Sequence, residues 1–425
     1  MTLKWTLLAV IIHTFVVIAS SAANFAVVPL CKGLSLTTTD NVFNLEKAAL
    51  QATILEDKHR QNIDNYHQRA KGRMKVRDTA LPPRYMYKER QSEPLIDENS
   101  DSEWTGFVSI GTPGQKFLVD VDTGSSDLWV TSASCNSSIC ASKRKYEASL
   151  SPTSMQIQGE GAFEIVYGDK STVSGPIYRD TVNIGGIEVQ NQYFSPVTNL
   201  SRQFDGDPID GIIGLAFPSI SNIGRDTFID NAYQQGAIPA RVFGLYLANT
   251  GSELYLGGYD QKHFTGDIEY HSLQVNDNPG FWEIGGASVY VGDTLAQGTF
   301  PTIIDSGTTL VYGPPDMVKS VYALIPGAAV FDEKQGFYSF PCRSTPKVSF
   351  SWGGRKWSIP GDSFNLGLTR AGASTCVGAL VGNSLGLRRS TWLLGGRFLK
   401  HVYTVFDADE LAIGFAQLRS AYSGV

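Results

Sequence analysis

The sequence predicts an all-β protein made of two similar lobes, and three observations predict it. After Trp104 the chain breaks into short alternating apolar runs, among them Phe107–Ile110, Lys116–Val121, Phe163–Tyr167, Thr181–Ile184 and Val402–Phe406, separated by Gly, Asn, Asp and Ser. Glycine (43) and proline (19) are frequent among the 425 residues, which favours turns over long helices. One pattern also occurs twice. Phe107-Val-Ser-Ile-Gly111, then Lys116 to Asp122-Thr-Gly-Ser-Ser126, is echoed by Ala287-Ser-Val-Tyr-Val-Gly292, then Thr302 to Asp305-Ser-Gly-Thr-Thr309. With 42% apolar residues and 18% charged ones there is ample material for a core. Disorder, collagen, coiled coil and a polytopic membrane protein are excluded on composition.

From the N-terminus, residues 1–23 read as a secretory signal: Lys4, an apolar stretch from Trp5 to Ile18, then the small residues Ser20 to Ala23. The apolar run is shorter than the roughly 20 residues of a membrane span. Phe415 to Val425 carries no apolar tail, so neither a lipid-anchor signal nor a membrane anchor is expected there. The chain is expected to be secreted, with a vacuole or other acidic lumen as the alternative destination.

Residues 24–100 form a basic leader, ending somewhere between about 90 and 103, with a helical stretch near Leu45–Lys71 and a proline pair at Pro82-Pro83. The net charge of −6 hides an asymmetry: residues 58–90 hold ten Lys/Arg against three Asp/Glu, and residues 101–425 hold twenty-two against thirty-one. A basic stretch is commonly a solvated arm or a nucleic-acid arm. Here the acidic body of the same chain is the preferred partner, and no nucleic acid is expected. The lobes are assigned to 101–275, holding Asp122, and 276–425, holding Asp305. Short helices are expected near Ile223–Gln235 and Asp316–Leu324.

Five cysteines suit an oxidising route. Cys135 with Cys140 reads as a tight loop disulfide and Cys342 with Cys376 as a longer one, leaving Cys31 over. Zinc is the competing reading, but four scattered thiols with no C-x-x-C and no neighbouring His pair suit it poorly. Asn136 and Asn199 head N-glycosylation tripeptides.

Along an extended strand Asp120 and Asp122 share one face. Gly124 permits a tight turn and close backbone approach, and Ser125 and Ser126 can hydrogen-bond a carboxylate. One Asp-Thr-Gly is ordinarily a turn. Two copies in matching context point instead to carboxylates facing each other across a pseudo-twofold, sharing a proton. Such a pair can take a proton from water and give one to a carbonyl oxygen, which is general acid–base hydrolysis.

These residues resemble the pepsin-like aspartic proteases, in particular the secreted fungal type. The likeness covers Trp104–Val425 and rests on Val121-Asp-Thr-Gly-Ser-Ser-Asp-Leu-Trp129-Val130, Ile304-Asp-Ser-Gly-Thr-Thr-Leu310, Asp210-Gly-Ile-Ile-Gly-Leu215 and Trp392-Leu-Leu-Gly395. The resemblance implies a bilobal fold with the active site between the lobes and an endopeptidase without cofactor or metal. It further implies a monomer acting on protein and peptide substrates and blocked by pepstatin-type inhibitors. It implies that Asp122 and Asp305 hold the attacking water, with Ser125 and Thr308 as outer partners. Tyr167 would be the flap tyrosine and Trp129 the indole that steadies it, while Gly124, Gly168, Asp169, Gly307 and Thr309 would line the groove. Asp120 and Asp169, with Ile212 and Phe204, are expected to form a pocket that prefers large apolar residues and admits Lys before the scissile bond. In this family the leader blocks the cleft with a basic residue, for which Arg84 or Lys88 is the candidate, and acid releases it.

Two departures stand out: Gly396 where many members carry Asp, and Lys170 where glycine is common on the flap. The rival reading is a catalytically silent pepsin-fold protein that binds peptide or glycan. Gly382-Asn-Ser-Leu-Gly386 matches G-x-S-x-G but lacks the strand-then-helix context of a serine nucleophile and is read as a turn.

Overall fold

The computed structural model describes residues 26–32, 36–70, 104–159, 161–167, 171–248, 251–274, 279–344 and 346–419. Each half is built on the same three-strand unit. In the first, strand Gln115–Asp122 runs parallel to Gly211–Gly214, which is antiparallel to Leu128–Thr131. In the second, Thr294–Ile304 runs parallel to Trp392–Leu394, which is antiparallel to Val311–Gly313. The repeat in the sequence is therefore a repeat in topology. Each crossing strand supplies its apolar residues to the core beside an aspartate. Gly214 ends one crossing strand and Gly395 directly follows the other; a Cβ at either would strike backbone, that of Ser125–Ser126 and of Thr308 and Leu310 respectively.

The strands foreseen at Phe107–Ile110, Lys116–Val121, Phe163–Tyr167, Thr181–Ile184 and Val402–Phe406 lie within or overlap Trp104–Ile110, Gln115–Asp122, Ala162–Val166, Tyr178–Ile184 and Val402–Asp407. The short helices are Phe228–Gln234, closed by a Thr227/Asp230 capping box, and Pro315–Ala323. A sheet joins the halves: Phe264–Ser272 pairs with Ala412–Leu418, then come Val402–Asp407, Val242–Tyr246 and Ser252–Leu256. Aromatic packing seals the junction. The Trp282 ring lies 4.5 Å from that of Phe217 and donates from its indole nitrogen to the Leu215 carbonyl at 3.0 Å. Phe243 stacks on Phe406 at 4.8 Å.

The leader contributes two elements to this body. Strand Ala26–Lys32 inserts between Ser252–Leu256 and Trp104–Ile110. Helix Leu45–Ala70, 26 residues long, matches the stretch foreseen at 45–71. Its Ala48, Ala52 and Leu55 recur at helical spacing and are buried. No described helix is long and apolar enough to cross a membrane. Cys135–Cys140 and Cys342–Cys376 are disulfide-bonded, with Cα separations of 6.1 and 5.0 Å. Asn136 and Asn199 are exposed. The signal stretch and Pro82-Pro83 lie outside the described residues.

Candidate active site

Asp122 ends its strand and Asp305 directly follows its own, so the two β-rich units deliver the carboxylates to one place. The motif explains the local turn. The Gly124 N–H donates to Asp122 Oδ1 at 2.8 Å and Ser125 Oγ to Oδ2 at 2.6 Å. The Gly307 N–H donates to Asp305 Oδ1 at 3.0 Å and Thr308 Oγ1 to Oδ2 at 2.8 Å. The outer partners foreseen at Ser125 and Thr308 are thus in contact with the carboxylates. A Cβ on Gly124 would collide with the Asp305 carboxylate, and one on Gly307 with that of Asp122. The two turns therefore interlock across the pseudo-twofold, and each glycine leaves room for the opposite acid.

Two residues of the motifs do more than their spacing suggested. Thr123 and Ser306 cross the pseudo-axis: the Thr123 N–H donates to Ser306 Oγ at 3.0 Å, and the Ser306 N–H to Thr123 Oγ1 at 2.9 Å. Their hydroxyls donate onward to the carbonyls of Ile304 at 3.0 Å and Val121 at 2.6 Å. Both side chains are fully buried, so these four bonds hold the two turns in a fixed relation. A hydroxyl residue immediately after each Asp was the available signal.

Lys58 of the leader helix occupies the space between the carboxylates. Its Nζ donates to Asp122 Oδ1 and to Asp305 Oδ2, at 3.0 Å each, so these oxygens lie at most about 6 Å apart. Burial alone would lower the lysine and raise both acids. The two carboxylates outweigh this for Lys58, which stays charged. Against its own burial, Asp305 is held well below the carboxylate range by Lys58 and His59, whereas burial keeps Asp122 raised, opposed by Lys58. His59 is fully buried with Nε2 3.5 Å from Asp305 Oδ2, and burial lowers its pKa.

Among the described residues the basic side chain at the pair is Lys58; the foreseen candidates Arg84 and Lys88 lie outside the described residues. The resemblance to the family's leader pointed to the later stretch. What places Lys58 is its position on one helix face, with Gln51, Asn62, Asn65 and Arg69 at intervals of three, four and seven. Asn62 donates to the Gly124 carbonyl at 2.8 Å, Asn65 to that of Ile220 at 3.1 Å and Arg69 to that of Pro218 at 3.2 Å. Thr309 Oγ1 donates to Gln51 Oε1 at 3.3 Å.

Tyr167 follows strand Ala162–Val166, whose hairpin partner is Thr172–Pro176. Its ring lies 6.2 Å from that of Phe204, which in turn meets Trp129 edge-on at 5.4 Å. Phe204 therefore links the flap tyrosine to the indole. Gly168, Asp169 and Lys170 lie outside the described residues. Beside these rings a cavity of about 170 Å³ is walled by Asp120, Ile212 and Phe204 together with Gln203 and Asp207. Burial, then the negative charge of Asp122, pushes the Asp120 carboxyl well up, and its Oδ1 has no hydrogen-bond partner among the described residues. The Gln203 Oε1 is likewise unpartnered. At Gly396 a Cβ would meet the Trp104 indole nitrogen at 3.0 Å, so the indole borders the space an acidic side chain would need. The G-x-S-x-G stretch is a turn, in which the Leu387 N–H donates to the Ser384 carbonyl at 2.8 Å.

Comparison with known proteins agrees with this geometry. The profile of the eukaryotic aspartyl protease family matches residues 103–418. An aspartic protease of Phaffia rhodozyma is 42% identical over 330 residues, covering 76% of this chain and 78% of that protein. Rhizopuspepsin-1 of Rhizopus niveus is 36% identical, covering 75% of this chain and 79% of its own length. Cathepsin D of Gallus gallus is 35% identical, covering 76% and 82%. Two carboxylates interlocked at the meeting of two matching β units, in a sequence that aligns over most of its length with these enzymes, place the chain in the eukaryotic aspartyl protease family, as an aspartic-type endopeptidase.

Proposed function

We propose that the chain is the secreted, self-inhibited precursor of this endopeptidase, with Asp122 and Asp305 as its catalytic pair. The observation that carries the reading is the Lys58 ammonium 3.0 Å from both carboxylates, where a water molecule would have to sit for hydrolysis. A cleft filled by a helix cannot receive an extended peptide.

Once the helix leaves, one carboxylate takes a proton from the bound water as its oxygen attacks the scissile carbonyl carbon. The other, protonated, gives its proton to the carbonyl oxygen. The resulting gem-diol collapses with proton transfer to the leaving nitrogen, and the C–N bond breaks. Tyr167 closes over the substrate, steadied by Trp129, while Gly124, Gly307 and Thr309, with the flap residues Gly168 and Asp169, line its backbone. The substrate is a protein or peptide, and the mature enzyme acts as a monomer.

Asp120, with Ile212 and Phe204, supports a preference for large apolar residues before the scissile bond together with acceptance of Lys: an apolar wall carries one buried carboxyl short of a donor. Entry into the secretory route rests on the N-terminal signal pattern, two disulfides and two glycosylation tripeptides whose asparagines are exposed. Acid-pH hydrolysis of denatured haemoglobin by the processed chain, sensitive to pepstatin and absent in Asp122→Asn, tests the reading. Hydrolysis retained in that variant contradicts it.

A further inference from the structure

On the Asp305 side of the cleft lies a second cavity, of about 120 Å³, closed on one side by Tyr66 of the leader helix. Its apolar wall includes Phe281, Ile303 and Leu387, and its polar lining includes Glu283 and Thr391 beside Gln274, Arg388 and His67. Ile303 stands two residues before Asp305, so the strand alternation gives them a common face. Glu283 is the direct cross-strand partner of Ile303. The Phe281 ring lies 5.7 Å from that of His59, whose Nε2 is 3.5 Å from Asp305 Oδ2, so the cavity borders the carboxylate pair.

Two polar atoms here are buried and unsatisfied. The Glu283 side chain is 9% exposed and its Oε1 has no hydrogen-bond partner among the described residues; Oε2 is 3.7 Å from the largely exposed Arg388 guanidinium. Thr391 is 2% exposed and its Oγ1 has no partner there either. Native interiors hold few such groups, because losing water without gaining a partner is unfavourable. Both line the same cavity: the Glu283 oxygen is an acceptor without a donor, and the Thr391 hydroxyl, able to donate or accept, has neither partner among the described residues.

Building on the endopeptidase reading, we infer that this cavity opens when the helix departs, as the subsite for a residue just after the scissile bond, where Glu283 and Thr391 select a side chain with a long apolar stem and a hydrogen-bond-donating tip. Lys and Tyr carry that combination; Phe and Leu have the stem alone. Phe281, Ile303 and Leu387 hold the stem, and the tip donates to Glu283 Oε1 and Thr391 Oγ1.

The test uses the processed enzyme and peptides that vary only at the first or second position after the scissile bond, with Tyr, Lys, Phe or Leu. At one of those positions kcat/KM should favour Tyr or Lys over Phe by about tenfold. Glu283→Leu and Thr391→Val should each reduce that ratio at least about threefold, read against the Leu peptide cut by the same variant. Glu283→Gln keeps an acceptor without charge, so it should preserve a preference for Tyr and reduce one for Lys. Equal cleavage of all four by wild type, or a ratio unchanged in both Glu283→Leu and Thr391→Val, overturns the inference. Cleavage of none would instead contradict the endopeptidase reading beneath it.

Discussion

Thr123 and Ser306, 183 residues apart in the chain, each donate a backbone N–H to the other's hydroxyl in the floor of the cleft. Each hydroxyl also donates across to the strand carrying the opposite aspartate. The relative placement of the carboxylates is thus fixed by side chains next to them rather than by the distant sheet. Thr123→Ala or Ser306→Ala should leave buried N–H and C=O groups unpaired and cost about 2–4 kcal/mol in urea unfolding of the precursor. Val at 123, which keeps the shape but not the hydroxyl, should cost nearly as much as Ala. A change below about 0.5 kcal/mol for both would show that the cross-bonds carry little.

Lys58→Met removes the ammonium but keeps the stem. Two carboxylates would then face each other beside an apolar chain, and the helix would lose its strongest hold on the cleft. The variant precursor should process itself at a pH at which wild type is stable, followed by gel time course. Arg84→Ala and Lys88→Ala give the comparison: if they release the precursor and Lys58→Met does not, the plug is misassigned.

Acid should release the helix through two groups. In the closed form Asp305 is held below the ordinary carboxylate range, by Lys58 and His59 acting against its own burial. Its contribution to closure is present above about pH 4 and is lost as pH falls below that. His59 faces Asp305, Asp122, the neighbouring Lys58 and the Phe281 ring; burial lowers its pKa in the closed form. Its contribution is present above its free value of about 6.5 and fades as pH falls through that value, since only the released form then binds the proton readily. His59→Phe should therefore shift the midpoint of self-processing to lower pH and make the transition shallower. An identical midpoint and slope would remove His59 from the switch.

Asp120 is buried two residues from Asp122, with no donor to its Oδ1 among the described residues. Asp120→Asn should lower kcat/KM for peptides with Lys before the scissile bond by roughly tenfold relative to Phe, by removing a buried carboxyl that ionises when an ammonium enters beside it. An unchanged Lys-to-Phe ratio in matched peptides would assign the pocket to apolar side chains alone.

Much of this was legible in the sequence because the signals were local and repeated. The Asp-Thr-Gly and Asp-Ser-Gly copies, the apolar-apolar-Gly strands behind them and the leader helix depend on short-range alternation, turn chemistry and helical spacing. Pairings across the chain were less visible. Lys58 meets both carboxylates only because the helix lies in the cleft with one face down, and nothing in local charge ranks it above Arg84 or Lys88. Glu283 and Thr391 share a cavity through strand register and a late turn, which no spacing along the chain reveals. Phe204 was foreseen as a pocket wall; its bridging of Tyr167 and Trp129 appeared only when a short 3-10 turn, a hairpin end and a strand came together.

Joint action of Asp122 and Asp305 is tested most directly by a double-mutant cycle on the processed enzyme, reading kcat for one peptide at acid pH. Asp122→Asn and Asp305→Asn should each reduce kcat by at least about a thousandfold, and the double variant should be hardly slower than either, because the two carboxylates work as one unit. Losses that multiply in the double variant, or a single variant that keeps more than about a tenth of the rate, would contradict the account.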